Sequence, residues 1–185
     1  PLLKTGQHKL IGFAKREQGL MVARGNPLAL RDWVDLCQAD VRFVNRSPGT
    51  GTRLLLDQSL QERGLLPALV NGYTDEENSH SAVAARIAAG QADVGLGIAH
   101  AAHGHGLDFV PLSQEFYWLV CLASALDTAP VLQLRQLLGS AAWRASLQAL
   151  QGYSPIDQAG QVQSLRSMLP WWRFRSAQHL SLIHI

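Results

Sequence analysis

The sequence contains little lysine, few cysteines and no long hydrophobic run. Only Lys4, Lys9 and Lys15 contribute lysine to its 16 basic residues, and no dense cluster of Lys and Arg occurs. Because the formal net charge is only +2, the composition does not support a nucleic-acid-binding surface. No stretch approaches the roughly 18 apolar residues of a membrane-spanning helix, and no signal peptide is recognisable. We therefore expect no membrane contact and no direct nucleic-acid contact by this chain.

The remaining composition is typical of a globular protein. Its 185 residues are 47% hydrophobic, which suits one domain or two small lobes. The two cysteines, Cys37 and Cys121, have apolar neighbours, so we expect buried, reduced thiols rather than a disulfide. The first residue is Pro1 rather than methionine, which is consistent with a fragment of a longer protein. Residues 176–185 have no clear packing partner and are expected to form a tail.

Hydrophobic periodicity predicts strands alternating with helices over residues 41–111. "VRFVN" has the pattern of a strand and "TRLLLDQSLQERG" that of a helix. The clearest helix is predicted in "DEENSHSAVAARIAAG", where Asp75, Glu76 and Glu77 lie before or in its first turn. Ser79 is a candidate N-cap, and Gly90 ends the pattern. Such alternation builds a parallel sheet covered by helices, which is an α/β fold.

The segments on either side of this region give weaker patterns. "KLIGFAKREQGLMV" predicts two short strands around a polar turn. "LDFVPL" and "EFYWLVCLAS" predict two further strands, and most of the sequence beyond them has helical periodicity.

The segment "NRSPGTGTR", residues 45–53, follows a predicted strand and opens a predicted helix. The first N–H groups of a helix have no partner inside it, and they favour an anion. Glycines allow close approach of a ligand to the backbone, hydroxyls donate hydrogen bonds, and arginines supply charge in a forked geometry. These groups together predict a site for an oxyanion. The alternative is a simple turn and helix cap with solvated arginines. The lysine of a P-loop is missing.

The segments "REQGLMVARGNP", "FVNRSPGTGTRLLLD", "SHSAVAARIAAGQADVGLGI" and "GLDFVPLSQEFYWLV" together resemble the PBP-like domain. This is a type-II periplasmic-binding-protein fold found in helix-turn-helix regulators and molybdopterin-biosynthesis proteins. It is similar to the tungstate- and molybdate-binding proteins of ABC importers. The resemblance runs from about Arg16 to Val120.

The resemblance also implies which residues bind the ligand. The related importer proteins carry an arginine followed, four to six positions later, by Ser-Gly-Thr; here Thr50 replaces the serine. The implied ligand-binding residues are Arg46, Thr50, Gly51, Thr52, Arg53, Ser79, His80 and Tyr117. For Ser79 and His80 the alternative is a helix cap beside a surface histidine, and for Tyr117 it is core packing.

No metal site or catalytic set is expected. His100, His103 and His105 have a spacing that could hold zinc, but no carboxylate or cysteine nearby completes a ligand set. Asp93 precedes a predicted strand that would pass close to the ligand in such folds. We find no motif of paired carboxylates and no nucleophile with an evident base. The expectation is therefore a non-enzymatic protein without a cofactor.

The resemblance implies two lobes with a ligand cleft between them. Residues 1–41 and 112–175 would form the first lobe, and residues 42–111 the second. Such proteins begin with a strand–helix–strand unit that this sequence lacks, so the first lobe is expected to be incomplete at its N-terminus. Pairing into a homodimer through the surface left uncovered is the further expectation.

The function implied is that of a sensor domain for a small oxyanion such as molybdate or tungstate, or for a molybdenum-cofactor-related ligand. Such a domain would be cytoplasmic and would regulate an attached DNA-binding or enzyme domain. One alternative is a periplasmic solute-binding protein of a molybdate or tungstate importer. A second alternative is an accessory domain of a molybdopterin-biosynthesis enzyme.

Overall fold

The computed structural model describes residues 3–169. Pro1, the predicted tail at 176–185 and the tryptophans Trp171 and Trp172 lie outside the described residues. The strands are β1 (His8–Val22), β2 (Phe43–Arg46), β3 (Glu76–Glu77), β4 (Val94–Ile98), β5 (Asp108–Leu122), β6 (Tyr153–Pro155) and β7 (Val162–Ser164). The α-helices are α1 (Gly51–Glu62), α2 (His80–Ala88), α3 (Ala99–Gly104), α4 (Ala129–Gly139), α5 (Ala141–Gln148) and α6 (Leu165–Met168). Short 3₁₀ helices cover Trp33–Cys37, Pro67–Leu69 and Ala123–Ala125.

The strands form an open mixed sheet in the order β3-β2-β4-β1-β5, and β6 and β7 also pair with β1. Strands β3, β2 and β4 are parallel, as the alternation of strands and helices predicts. The parallel part is narrower than expected, because β1 runs antiparallel to β4. Antiparallel β1 pairs with β4 at the position where a further parallel strand would otherwise pair.

Two of the strand predictions are wrong in the same way. β1 is one strand of 15 residues and contains the "KREQ" segment that was predicted to be a turn. It continues through this polar segment because its two halves have different partners: Ala14–Arg16 pair with β6, and Gln18–Val22 pair with β4. β5 likewise joins the two predicted strands "LDFVPL" and "EFYWLVCLAS" into one strand of 15 residues.

The described residues form two compact units, and the chain passes between them within β1 and β5. One unit contains residues 17–115, and the other contains described residues 3–16 and 116–169. The division therefore differs from the predicted lobe boundaries at 41/42 and 111/112. The physical reason is that Leu20, Leu30 and Trp33 pack in the same core as Phe43 and Leu96.

In the unit of residues 17–115, helices cover both faces of the sheet. Successive residues of a strand point to opposite faces. Phe43 accordingly packs in a core with Leu56 and Leu60 of α1, whereas Val44 packs with Val83 and neighbouring residues of α2. The sheet is therefore held between α1 and α2, and both helices begin at the same edge.

The unit of residues 3–16 and 116–169 has its own small core. Leu3, Leu10 and Leu165 are buried there, with Trp118 and Val120 of β5 packed against them. Among the helices that lie within residues 3–169, none has both the length and the apolar character needed to cross a bilayer.

Candidate functional site

The candidate site lies where the parallel strands β2 and β3 end and the helices α1 and α2 begin. Arg46 at the end of β2 pairs with Glu77 at the end of β3. The Ser47 N–H donates to the Glu77 carbonyl oxygen at 3.2 Å, which keeps the two chains together beyond the strands. Ligands of open α/β sheets bind at this edge, beyond the carboxyl ends of the strands.

Arg46 is a nearly buried cation, with 8% of its surface exposed. Its Nη1 donates to the Glu77 carbonyl oxygen at 3.1 Å. Its Nε is buried and has no hydrogen-bond partner within residues 3–169. Loss of solvent lowers the pKa of the guanidinium below its ordinary value. A buried donor without an acceptor is costly, and an anion bound at this edge would remove that cost.

Thr50 is the N-cap of α1. Its Oγ1 accepts a hydrogen bond from the Arg53 N–H at 3.3 Å and donates to the Ser47 carbonyl oxygen at 2.9 Å. The Thr50 hydroxyl was predicted to donate to the ligand, but in the structure it donates to the backbone. Gly49 precedes it with a φ of 83°, a conformation that favours glycine.

The next two residues, Gly51 and Thr52, open the 12-residue helix α1. Their backbone N–H groups have no acceptor inside the helix because they belong to its first turn. Thr52 is 4% exposed. The helix start and the Arg46 guanidinium thus present the donors that an oxyanion needs.

Arg53 has a different environment. Its Nε lies 3.0 Å from Asp57 Oδ1, and its Nη1 lies 3.0 Å from Glu76 Oε1. Its guanidinium carbon lies 4.3 Å from the centre of the Tyr73 ring, and the Tyr73 hydroxyl donates to Asp57 Oδ1 at 2.7 Å. These contacts tie the start of α1 to Tyr73 and to Glu76 of β3, and contact of Arg53 with a ligand stays a prediction.

Two further polar residues, Gln18 and Glu115, lie at the same edge, and neither is among the residues predicted from the sequence. Gln18 is 1% exposed, and its Nε2 donates to Glu115 Oε1. A Cβ placed on Gly51 would lie 3.9 Å from that same carboxylate oxygen. In the sequence Gln18 closes the polar "KREQ" segment just before the apolar run Leu20–Val22, and the prediction of a turn there concealed its place in a strand.

Ser79 and His80 stand at the start of α2. Ser79 is its N-cap, and its Oγ accepts a hydrogen bond from the Ala82 N–H at 3.0 Å. This is the cap geometry that the sequence allowed as the alternative. His80 is the first residue of α2 and is half-buried rather than on the surface. Contact of either residue with a ligand stays a prediction.

Tyr117 belongs to the other unit, which contains residues 116–169. The guanidinium carbon of Arg16, in the same unit, lies 4.9 Å from the centre of the Tyr117 ring. A role of Tyr117 in ligand binding stays a prediction.

The other candidate side chains have local partners. Asp93 precedes β4, at the end opposite to the candidate site, and pairs there with Arg42, whose Nη2 lies 2.6 Å from Asp93 Oδ1. His105 Nε2 lies 2.8 Å from Ser81 Oγ. Within residues 3–169 no three His, Cys, Asp or Glu side chains form a group suited to a metal ion. Cys37 and Cys121 are free thiols, half-buried, and burial raises the pKa of each.

Comparison with known proteins places this fold in a family. A model described as the PBP superfamily domain matches residues 1–139, and the chain belongs to this family. It is 41% identical over 144 residues to the uncharacterized protein YvgK of Bacillus subtilis (strain 168), covering 78% of this chain and 46% of YvgK. The chain therefore spans about half the length of this relative.

Solved structures show the same type of fold. The probable amino-acid ABC transporter extracellular-binding protein YtmK of Bacillus subtilis is similar with a TM-score of 0.58 and 14% identity, over 79% of this chain and 65% of that one. PEB3 bound to L-phospholactate is similar with a TM-score of 0.54 and 18% identity, over 80% of this chain and 68% of that one. The fold is thus type-II periplasmic-binding-protein-like, and the chain is a ligand-binding domain of the PBP-like kind.

Proposed function

We propose that this chain binds a small oxyanion, or the anionic group of a small ligand, at the start of α1. The Arg46 guanidinium and the N–H groups of Gly51 and Thr52 would hold the anion. The observation that carries this proposal is the buried Nε of Arg46, which has no acceptor within residues 3–169.

Within residues 3–169, no carboxylate compensates the positive charge of Arg46. Buried cations are normally paired with carboxylates or bound anions. Arg53 nearby has Asp57 and Glu76 as partners, whereas the described part of the chain offers Arg46 only the backbone oxygen of Glu77. A charge-assisted hydrogen bond from Arg46 to a bound anion would contribute about 1.5–3 kcal/mol.

The proposed role is that of a cytoplasmic sensor domain rather than an enzyme. Molybdate and tungstate are candidate ligands because the residue pattern at Arg46 and Thr50–Thr52 resembles that of the importer proteins that bind them. Phosphate is a further probe, since PEB3, which shares the fold, is bound to L-phospholactate. Binding would regulate an attached domain of the whole protein, DNA-binding or enzymatic.

Isothermal titration calorimetry with molybdate, tungstate, phosphate and sulfate tests this proposal. Wild type should bind at least one of these anions, and Arg46→Gln should weaken that binding more than tenfold, a change of about 1.4 kcal/mol. Arg42→Gln is the matched control, since it removes the same charge from an exposed arginine just before the same strand. Equal losses in both variants would mean that net charge, not a site, attracts the anion.

A periplasmic solute-binding protein is the second candidate function. The observation that favours it is the fold shared with the extracellular-binding protein YtmK. Fractionation of cells that express the whole natural protein distinguishes the two candidates, because a sensor should remain in the cytoplasm and an importer component should be released with the periplasm.

A further inference from the structure

Gln18 has a buried acceptor that nothing in the described chain satisfies. The residue is 1% exposed, and its Oε1 has no hydrogen-bond partner within residues 3–169. A buried amide oxygen without a donor costs about 1–3 kcal/mol, so a structure rarely keeps one without a reason.

The orientation of the Gln18 amide is determined by its neighbour. An ionised carboxylate only accepts hydrogen bonds, so the Gln18 group that meets Glu115 Oε1 must be the NH₂ group. Turning the amide over would place two acceptor oxygens against each other. The remaining atom, Oε1, is therefore an acceptor that requires a donor from elsewhere.

Gln18 lies at the same sheet edge as Arg46. It pairs with Ile98, the last residue of β4, and Arg46 is the last residue of β2, the strand on the other side of β4. Two interstrand spacings separate β1 from β2, about 10 Å. The Glu115 carboxylate that Gln18 contacts also lies beside Gly51, the first residue of α1. Strand alternation puts Gln18 on the α1 face with Leu20 and Arg46 on the α2 face with Val44, so a ligand that meets both must lie across the end of the sheet.

We propose that the ligand carries an O–H or N–H donor together with its anionic group, and that Gln18 Oε1 accepts the hydrogen bond from that donor. This inference rests on the anion site proposed above and narrows its ligand class. A fully deprotonated oxyanion presents only acceptor oxygens. Such an anion would leave Gln18 Oε1 unpaired.

The proposal distinguishes between anions of the same shape. Near pH 7, phosphate still carries a proton, whereas sulfate, molybdate and tungstate are fully deprotonated. Among carboxylates, lactate differs from propionate by one hydroxyl group. A site that provides a buried acceptor discriminates strongly against the analogue that lacks the donor. The inference therefore ranks phosphate above sulfate, or lactate above propionate, depending on whether the natural ligand is an inorganic or an organic acid.

Calorimetric titration of these two pairs into wild type and Gln18→Met tests the inference. Methionine has a similar length but lacks the amide oxygen. Wild type should prefer the donor-bearing member of at least one pair by about tenfold, and Gln18→Met should reduce that preference to near parity. Arg46→Gln should weaken binding of both members of the pair.

Each outcome bears on one part of the account. If Arg46→Gln weakens binding but wild type shows no preference within either pair, the anion site stands and the role of Gln18 is overturned. A preference that persists in Gln18→Met overturns that role as well. If Arg46→Gln leaves binding unchanged, the anion site itself fails. Should Gln18→Met not fold, Gln18→Leu, which also lacks the amide oxygen, replaces it in the same titrations.

Discussion

Arg46 donates from Nη1 to the backbone carbonyl oxygen of Glu77 across 3.1 Å, and within residues 3–169 no carboxylate oxygen lies within 4.0 Å of its guanidinium. The cation is thus held at the end of β2 by a neutral acceptor. This contact fixes the direction of the side chain without neutralising its charge. A residue arranged in this way is suited to meet an anion that arrives from solution.

The first prediction concerns the stability of the ligand-free protein. Arg46→Met should leave the free energy of unfolding unchanged or raise it by up to about 2 kcal/mol, because it removes a desolvated charge without a carboxylate partner. Urea denaturation monitored by circular dichroism measures this. A loss of more than about 2 kcal/mol would show that Arg46 serves mainly to hold the structure together.

The second prediction concerns Arg53, which has the opposite character. Its side chain is 11% exposed and contacts Asp57, Glu76 and the Tyr73 ring. Arg53→Met should lower the free energy of unfolding by about 2–3 kcal/mol, since two carboxylates would lose their shared cation. Tyr73→Phe removes the hydroxyl that donates to Asp57 and keeps the ring beside Arg53, so it should cost about 1 kcal/mol. Equal stability of Arg53→Met and wild type would refute this assignment.

The third prediction compares two glycines of β4. A Cβ on Gly95 would overlap Val83 Cγ1 and would lie 2.7 Å from the Val44 carbonyl oxygen. A Cβ on Gly97 would meet the flexible end of Met21. Gly95→Ala should therefore destabilise the protein by about 2–3 kcal/mol and Gly97→Ala by about 1 kcal/mol or less. Thermal melts of the two variants side by side measure the difference, and the reverse order would contradict the packing described for α2.

The fourth prediction concerns acid stability. The hydrogen bonds from the Arg42 side chain, followed by those from its backbone, lower the pKa of Asp93 against the opposing effect of burial. A carboxyl group whose folded pKa is depressed stabilises the fold above its unfolded pKa, and that contribution is lost as the pH falls through the folded value. The stabilisation by Asp93 is therefore lost progressively as the pH falls below about 4, the ordinary pKa of aspartate.

Two variants of this pair test the acid prediction together. Asp93→Asn and Arg42→Gln should each make the free energy of unfolding less dependent on pH below about pH 4. Urea denaturation at a series of pH values measures this slope. If both variants keep the slope of wild type, the pair does not contribute to acid stability.

The sequence predicted the local structure best where one signal dominated. Ser79, Gly90 and the apolar stripe between them indicated α2, and the structure places its cap at Ser79 and its last residue at Ala88. The long strands β1 and β5 were divided in the prediction because polar residues interrupt their apolar pattern. Pairing with different partners along the strand keeps β1 extended, and no local pattern reveals a distant partner.

The candidate site was predictable in position but not in its partners. The segment from Arg46 to Thr52 could be located from its glycines and hydroxyls at a strand-to-helix junction. The contacts of Arg53 with Asp57 and Glu76 depend on the angle of α1, which spacing does not reveal. Gln18 precedes Arg46 by 28 positions in the sequence. Only the register of β1 on β4 shows that it reaches the same edge of the sheet.

Nuclear magnetic resonance titration of the backbone amides and the arginine Nε–H groups measures the central claim most directly. On addition of phosphate, the Gly51 and Thr52 amides and the Arg46 Nε–H signal should shift together along one saturating curve. The Nε–H signal of Arg42, just before the same strand, should remain in place. An anion site at the start of α1 would be contradicted if other signals saturate while those of Arg46, Gly51 and Thr52 stay in place. It would also be contradicted if the Arg42 signal shifts as much as they do.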